Sequence, residues 1–108
     1  MIVAAAWAPA SALAQDQVEE ARHHYESGRS YYEQLRYDEA AREFEEAYRL
    51  SGRSHLLKNV AVSHQHAQAW QDAIEAFELY LEEVPDAEDR AEIEERVARL
   101  RELAAEGA

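Results

Sequence analysis

The sequence predicts an all-α fold, and three observations carry the prediction. Ala, Glu, Arg and Leu dominate the chain, and these residues lose little on entering a helix. β-Branched residues are sparse, and no stretch alternates apolar and polar side chains with the two-residue period of a strand. Only three Gly and two Pro interrupt 108 residues, and 47% of the side chains are apolar. That is enough for one small packed domain.

The first fourteen residues, MIVAAAWAPASALA, stand apart. They carry no charged side chain and end in Ala12-Leu13-Ala14, the small-x-small pattern of a signal-peptidase site. No Lys or Arg precedes the apolar run, so residues 1–14 read as the remainder of a secretory leader. Cleavage is expected after Ala14, leaving residues 15–108 as the helical domain. The run is too short for a membrane span and contains Pro9. The chain has no Cys, which excludes a lipid anchor, disulfides and thiolate metal sites. The expected setting is exported, either periplasmic or secreted.

Five helices follow in order. The first is expected from about Gln17 to Gln34, with Asp16 and Glu19 as a capping pair. The second covers about Asp38 to Leu50 and stops at Ser51-Gly52. The third runs from about His55 to Ala67, with Ser54 as N-cap. The fourth spans about Gln71 to Val84 and is ended by Pro85. The fifth runs from about Ala87 to Ala105, with Asp86 as N-cap and Gly107 beyond its end. Short connections predict tandem antiparallel hairpins.

The chain matches itself at an offset of 33 residues. Tyr37 corresponds to Trp70, Ala40 to Ala73, Phe44 to Phe77 and Tyr48 to Leu81. Upstream, Gly28 pairs with Ala61 and Tyr31 with His64. Each unit thus has a small residue on its first helix with a large one three later. On its second helix Ala is followed by Phe four later, and then by Ala47 or Tyr80. A small residue lets the partner backbone approach, and the large residues fill the groove beside it.

At these residues the chain resembles the tetratricopeptide repeat family, in its exported bacterial form. The resemblance covers about residues 21–85 and includes Pro85 at the motif's terminal proline. It implies a helical solenoid of two repeats, about 21–52 and 54–85, closed by a capping helix at about 86–105. The chain departs from the pattern at His24 and Ser27, at Gly52 in place of a proline, and at Tyr80, which is large where a small residue is usual. The fifth helix carries one apolar stripe, Ile93, Val97, Leu100 and Leu103. Glu92 with Arg96 and Glu95 with Arg99 are spaced to pair along it, as suits a solvated cap.

Composition and motifs narrow the function classes. A net charge of −12 repels nucleic acid and anionic membrane surfaces. His64 and His66 point about 200° apart on a helix, and adjacent His23 and His24 about 100° apart. No HExxH pair, Gly-rich phosphate loop or Gly-x-Ser-x-Gly elbow occurs. Neither catalysis nor a bound metal or cofactor is expected.

A binding surface remains. In tetratricopeptide arrays the first helices of successive units line a groove that receives proteins or peptides. By that resemblance the first helix presents Arg22, Tyr25, Arg29 and Tyr32. The third presents His55, Lys58, Val62, Gln65 and His66, with Asn59 at the edge. Some family members clamp a C-terminal carboxylate with Lys, Asn and Arg, and Arg29, Lys58 and Asn59 offer part of such a set. Val62 and the acidic Glu88 and Glu92 argue against a full clamp. The expected function is a non-catalytic adaptor or scaffold. The alternative is a self-associating homo-oligomer, since two repeats are few for an independently stable array. A metal-dependent enzyme is a more distant third.

Overall fold

The computed structural model describes residues 10–107, with side chains from Ala14 onward. Residues 1–9, most of the expected leader, lie outside the described residues. The chain is all-α: α1 (Ala10–Glu33), α2 (Tyr37–Ser51), α3 (Leu56–His66), α4 (Trp70–Glu83) and α5 (Arg90–Glu106). Each helix packs chiefly against its neighbours in the chain. Contacts between α1 and α2 pair Tyr32 with Tyr37, Gly28 with Phe44 and His24 with Glu43. One helix therefore runs back as the other runs forward. Arg90 on the Leu81 carbonyl and Arg101 on Glu78 set the same antiparallel sense for α4 and α5.

The 33-residue offset recurs in the backbone. Leu35 after α1 and Gln68 after α3 both take left-handed conformations, with φ of 62° and 61°. The surrounding hydrogen bonds repeat as well. The Arg36 amide donates to the Tyr31 carbonyl, and the Ala69 amide to that of His64, both at 2.9 Å. These six-residue loops satisfy carbonyls that the helix ends leave free. The sequence offered no Gly or Asn at either turn.

Small residues set the spacing of the helices. Ala40, Ala41, Ala47, Ala61 and Ala73 have no exposed surface. Phe44 and Phe77 are buried beside them, each contributing about 1.5–3 kcal/mol of apolar burial. At Gly28 a Cβ would stand 2.8 Å from the Phe44 ring. Ala61, 33 residues on, is fully buried in the core that also holds Phe77.

Side-chain ties then join the elements. Glu83 of α4 accepts from Ser54 Oγ at 2.7 Å and from the Tyr48 hydroxyl, linking three parts of the chain. Those bonds hold the Glu83 carboxyl below its ordinary range and raise the Tyr48 phenol. His24 meets Glu43 at 2.7 Å across α1 and α2. His64 meets Glu45 at 3.0 Å across α2 and α3.

Several expected ends differ. α1 begins at Ala10 and runs through Asp16, so Asp16 caps nothing. Ser54 binds Glu83 rather than capping α3. α5 starts at Arg90 rather than Ala87, because the segment after Pro85 makes turns at Val84–Ala87 and Ala87–Arg90 first. Asp89, not Asp86, holds the N-cap position, and its carboxylate points elsewhere. Gly107 stays right-handed, at φ −80°. Among the described residues, neither Glu92–Arg96 nor Glu95–Arg99 closes to within 4.0 Å. Arg96 instead lies over the Phe77 ring, 5.6 Å from its centroid.

Two substitutions test these points by urea unfolding. Leu35→Gly removes the left-handed penalty at an exposed side chain, so stability should rise by about 0.5–1 kcal/mol. Gly28→Ala would ordinarily favour a helix, but overpacking against the buried Phe44 ring costs about 1–3 kcal/mol. The variant should be less stable than wild type, and Phe44→Leu in the same chain should recover part of the loss. A stabilised Gly28→Ala variant would disprove the close approach.

Candidate binding groove

Because α1 and α3 both pack on α2, one face of each is brought to the same side. Tyr25, Arg29 and Tyr32 recur at four- and three-residue steps, which puts them on one stripe of α1. Opposite stand Lys58, Asn59 and Val62 of α3. Together with Glu33 and the edge of Phe44 they enclose an open cleft of about 360 Å³. Six of the ten expected groove residues therefore meet.

The walls are mainly aromatic. Tyr25 leans on Phe44 with centroids 5.8 Å apart. Tyr32 meets Tyr37 edge-on at 5.2 Å and His66 at 5.6 Å. His66 stacks on Tyr37 at 4.8 Å, so it belongs to a three-ring cluster with Tyr32 and Tyr37 and does not line the cleft. Burial, and then the neighbouring Tyr37, raise the Tyr32 phenol above its ordinary value. Gln65 does not line the cleft. Its Oε1 is buried, with no hydrogen-bond partner among the described residues.

The electrostatics differ from those of a carboxylate clamp. Lys58 Nζ donates to Asp89 Oδ2 at 2.8 Å. The Tyr80 hydroxyl donates to the other Asp89 oxygen at 3.2 Å, and the ammonium sits 5.2 Å from the Tyr80 ring centroid. The Lys58 bond is the main cause that lowers Asp89, and the Asp89 bond the main cause that raises Lys58. Lys58 is thus already neutralised by the residue at the start of α5. Arg29 is less engaged, reaching Glu33 only at 4.0 Å with both side chains largely exposed.

Arg22 and His55 were expected in the same groove and are not there. They line a second cleft of about 620 Å³ at the other end of α1, with Tyr25 shared between the two. Sequence reasoning also missed Glu33, Phe44 and Asp89. Glu33 lies one helical turn beyond Arg29 and was legible from spacing. Asp89 was not, because its role depends on how α5 docks. Among the described residues no three His, Asp or Glu side chains converge as metal ligands. No family model matches the chain, and comparison with curated proteins and with solved structures gives no match.

The Lys58–Asp89 pair predicts a pH dependence. A carboxyl lowered in the folded state stabilises above its unfolded pKa, and that stability is lost as pH falls through the folded value. A lysine raised in the folded state stabilises below its unfolded pKa and loses this as pH rises through the folded value. Wild type should therefore exceed Asp89→Asn in urea midpoint at neutral pH. The gap should close below the ordinary carboxylate range. A gap that persists in acid would mean that Asp89 acts through packing instead.

Proposed function

We propose that the chain is a tetratricopeptide-type adaptor of the cell envelope, holding a protein or peptide segment between α1 and α3 without catalysing a reaction. The observation that carries this reading is the open cleft walled by Tyr25, Tyr32 and Phe44, with Arg29 and Asn59 at its rim. Tyr and Arg combine contact area with directed hydrogen bonds, which makes them effective anchors. The cleft is lined by α1 and α3, the helices that the family resemblance expects to form the groove. Recurrence of the left-handed turns, of the buried Ala40 and Ala73, and of the buried Phe44 and Phe77 supports the repeat assignment.

The non-catalytic part of the proposal rests on the residue types present. The one lysine in the cleft is held as an ammonium by Asp89, which moves it away from use as a base at neutral pH. The exported setting rests on Ala12-Leu13-Ala14 and the uncharged run before it. With Lys58 occupied, recognition falls to the aromatic walls, Arg29 and Asn59 rather than to a lysine-based clamp.

Crosslinked pull-down from an envelope extract tests the groove. An Arg29→Ala/Asn59→Ala variant removes two rim contacts and leaves the buried core intact. Recovery of bound protein should fall by about tenfold relative to wild type, with helix content unchanged by circular dichroism. Equal recovery by the two proteins would overturn the assignment.

A further inference from the structure

The second cleft has a character opposite to that of the chain as a whole. It is lined from α1 by Val18, Ala21, Arg22 and Tyr25, and across from them by Leu50, Arg53, His55 and Leu56. No carboxylate lines it, although Asp and Glu outnumber Lys and Arg by 23 to 11 over the full chain. Arg22, Arg53 and His55 stand around its mouth. Among the described residues no carboxylate comes within 4.0 Å of Arg53 or His55. Arg22 has only Glu19 on its own helix at 3.5 Å, with both side chains more than half exposed.

The cleft also has an apolar floor. Ala21 and Leu56 are buried at its base, Leu50 is half-buried, and Val18 is 47% exposed on the wall. Val18 continues the stripe of Arg22, Tyr25, Arg29 and Tyr32, so both clefts lie along one line of α1. Every residue from Ala14 to Glu20 is exposed. Val18 is thus left uncovered one helical turn before Arg22.

We infer that this cleft is a second docking surface, and that its occupant is an acidic segment of a partner protein carrying apolar side chains beside its carboxylates. Charge complementarity selects the sign of the occupant, because two arginines and a histidine face it with no acidic residue in the lining. The apolar floor selects a polypeptide over a uniform polyanion. Nucleic acid or an anionic bilayer would bring closely spaced charge against a chain of net charge −12. A peptide can meet the arginines locally, within the roughly 8–10 Å over which charges act at ordinary salt. The site shares only Tyr25 with the α1–α3 groove, and its charged side chains, Arg22, Arg53 and His55, lie outside that groove.

Fluorescence anisotropy of the full chain tests it directly. The probe is a labelled amphipathic peptide of Glu, Leu and Ala, about 14 residues and 21 Å long as a helix. A counterpart with Ser for every Leu, which keeps the charge and loses the apolar face, is the control. The Glu peptide should bind and weaken as salt rises, and the Ser counterpart should bind at least about tenfold less tightly. In Arg22→Glu/Arg53→Glu the Glu peptide should bind at least about tenfold less tightly. Helix content by circular dichroism should be unchanged in that variant. Arg29→Ala should leave Glu-peptide binding unchanged, which separates this site from the other groove.

Equal binding of both peptides, or an unchanged affinity in the double variant, overturns the inference. So does tighter binding of an oligothymidine or of phosphatidylserine vesicles than of the Glu peptide, which would make the site a phosphate reader. A mass that grows with concentration in light scattering, and is abolished by Arg22→Glu/Arg53→Glu, would also overturn it in favour of a second copy.

Discussion

The close approach of α1 to α2 at Gly28 is the constraint on which the remaining geometry depends. Phe44 occupies the space a side chain at position 28 would need, so the two backbones come nearer than larger residues permit. Ala40, Ala41 and Ala47 extend that approach along α2. A helix buried on such narrow contacts accepts neighbours on two sides. α3 can then lie against α2 with its Lys58, Asn59 and Val62 level with the tyrosines of α1. A Leu-rich interface would wedge the helices apart, and the cleft between α1 and α3 would widen or close according to the wedge.

Much of this was legible in the residues themselves. The five helices, the buried Ala and Phe pairs and the stripe Tyr25–Arg29–Tyr32 all follow from spacing, because a helix converts sequence period into a common face. The helix ends were less legible. Asp16, Ser54 and Asp86 have capping chemistry, yet each is overruled by a longer helix, by Glu83, or by the turns after Pro85. The unity of the groove was illegible as well. Arg22 shares α1 with the groove residues and His55 stands just before α3, yet both line a different cleft. Local pattern says which residues share a face. It does not say where a neighbouring helix divides that face.

Acidity in this chain is not only a solvated coat. Glu43, Glu45, Glu78, Glu83 and Asp89 each bond a side chain on another element. These contacts are individually small at a surface, but they fix which helix faces meet. Carboxylates used this way are withdrawn from the long-range field only in part. In the lining of each cleft the basic side chains outnumber the carboxylates, on a chain whose balance is otherwise acidic.

The left-handed turns at Leu35 and Gln68 bear on how the chain reaches its structure. Neither residue favours that conformation on its own, so neither hairpin is nucleated by its turn. The bend is held by the helices packed on either side of it. Contacts between chain neighbours make for short searches and fast folding. Reluctant turns, however, withhold stability from any single hairpin formed alone. What holds each hairpin is therefore the packing of its helices on their neighbours, and not the turn that joins them.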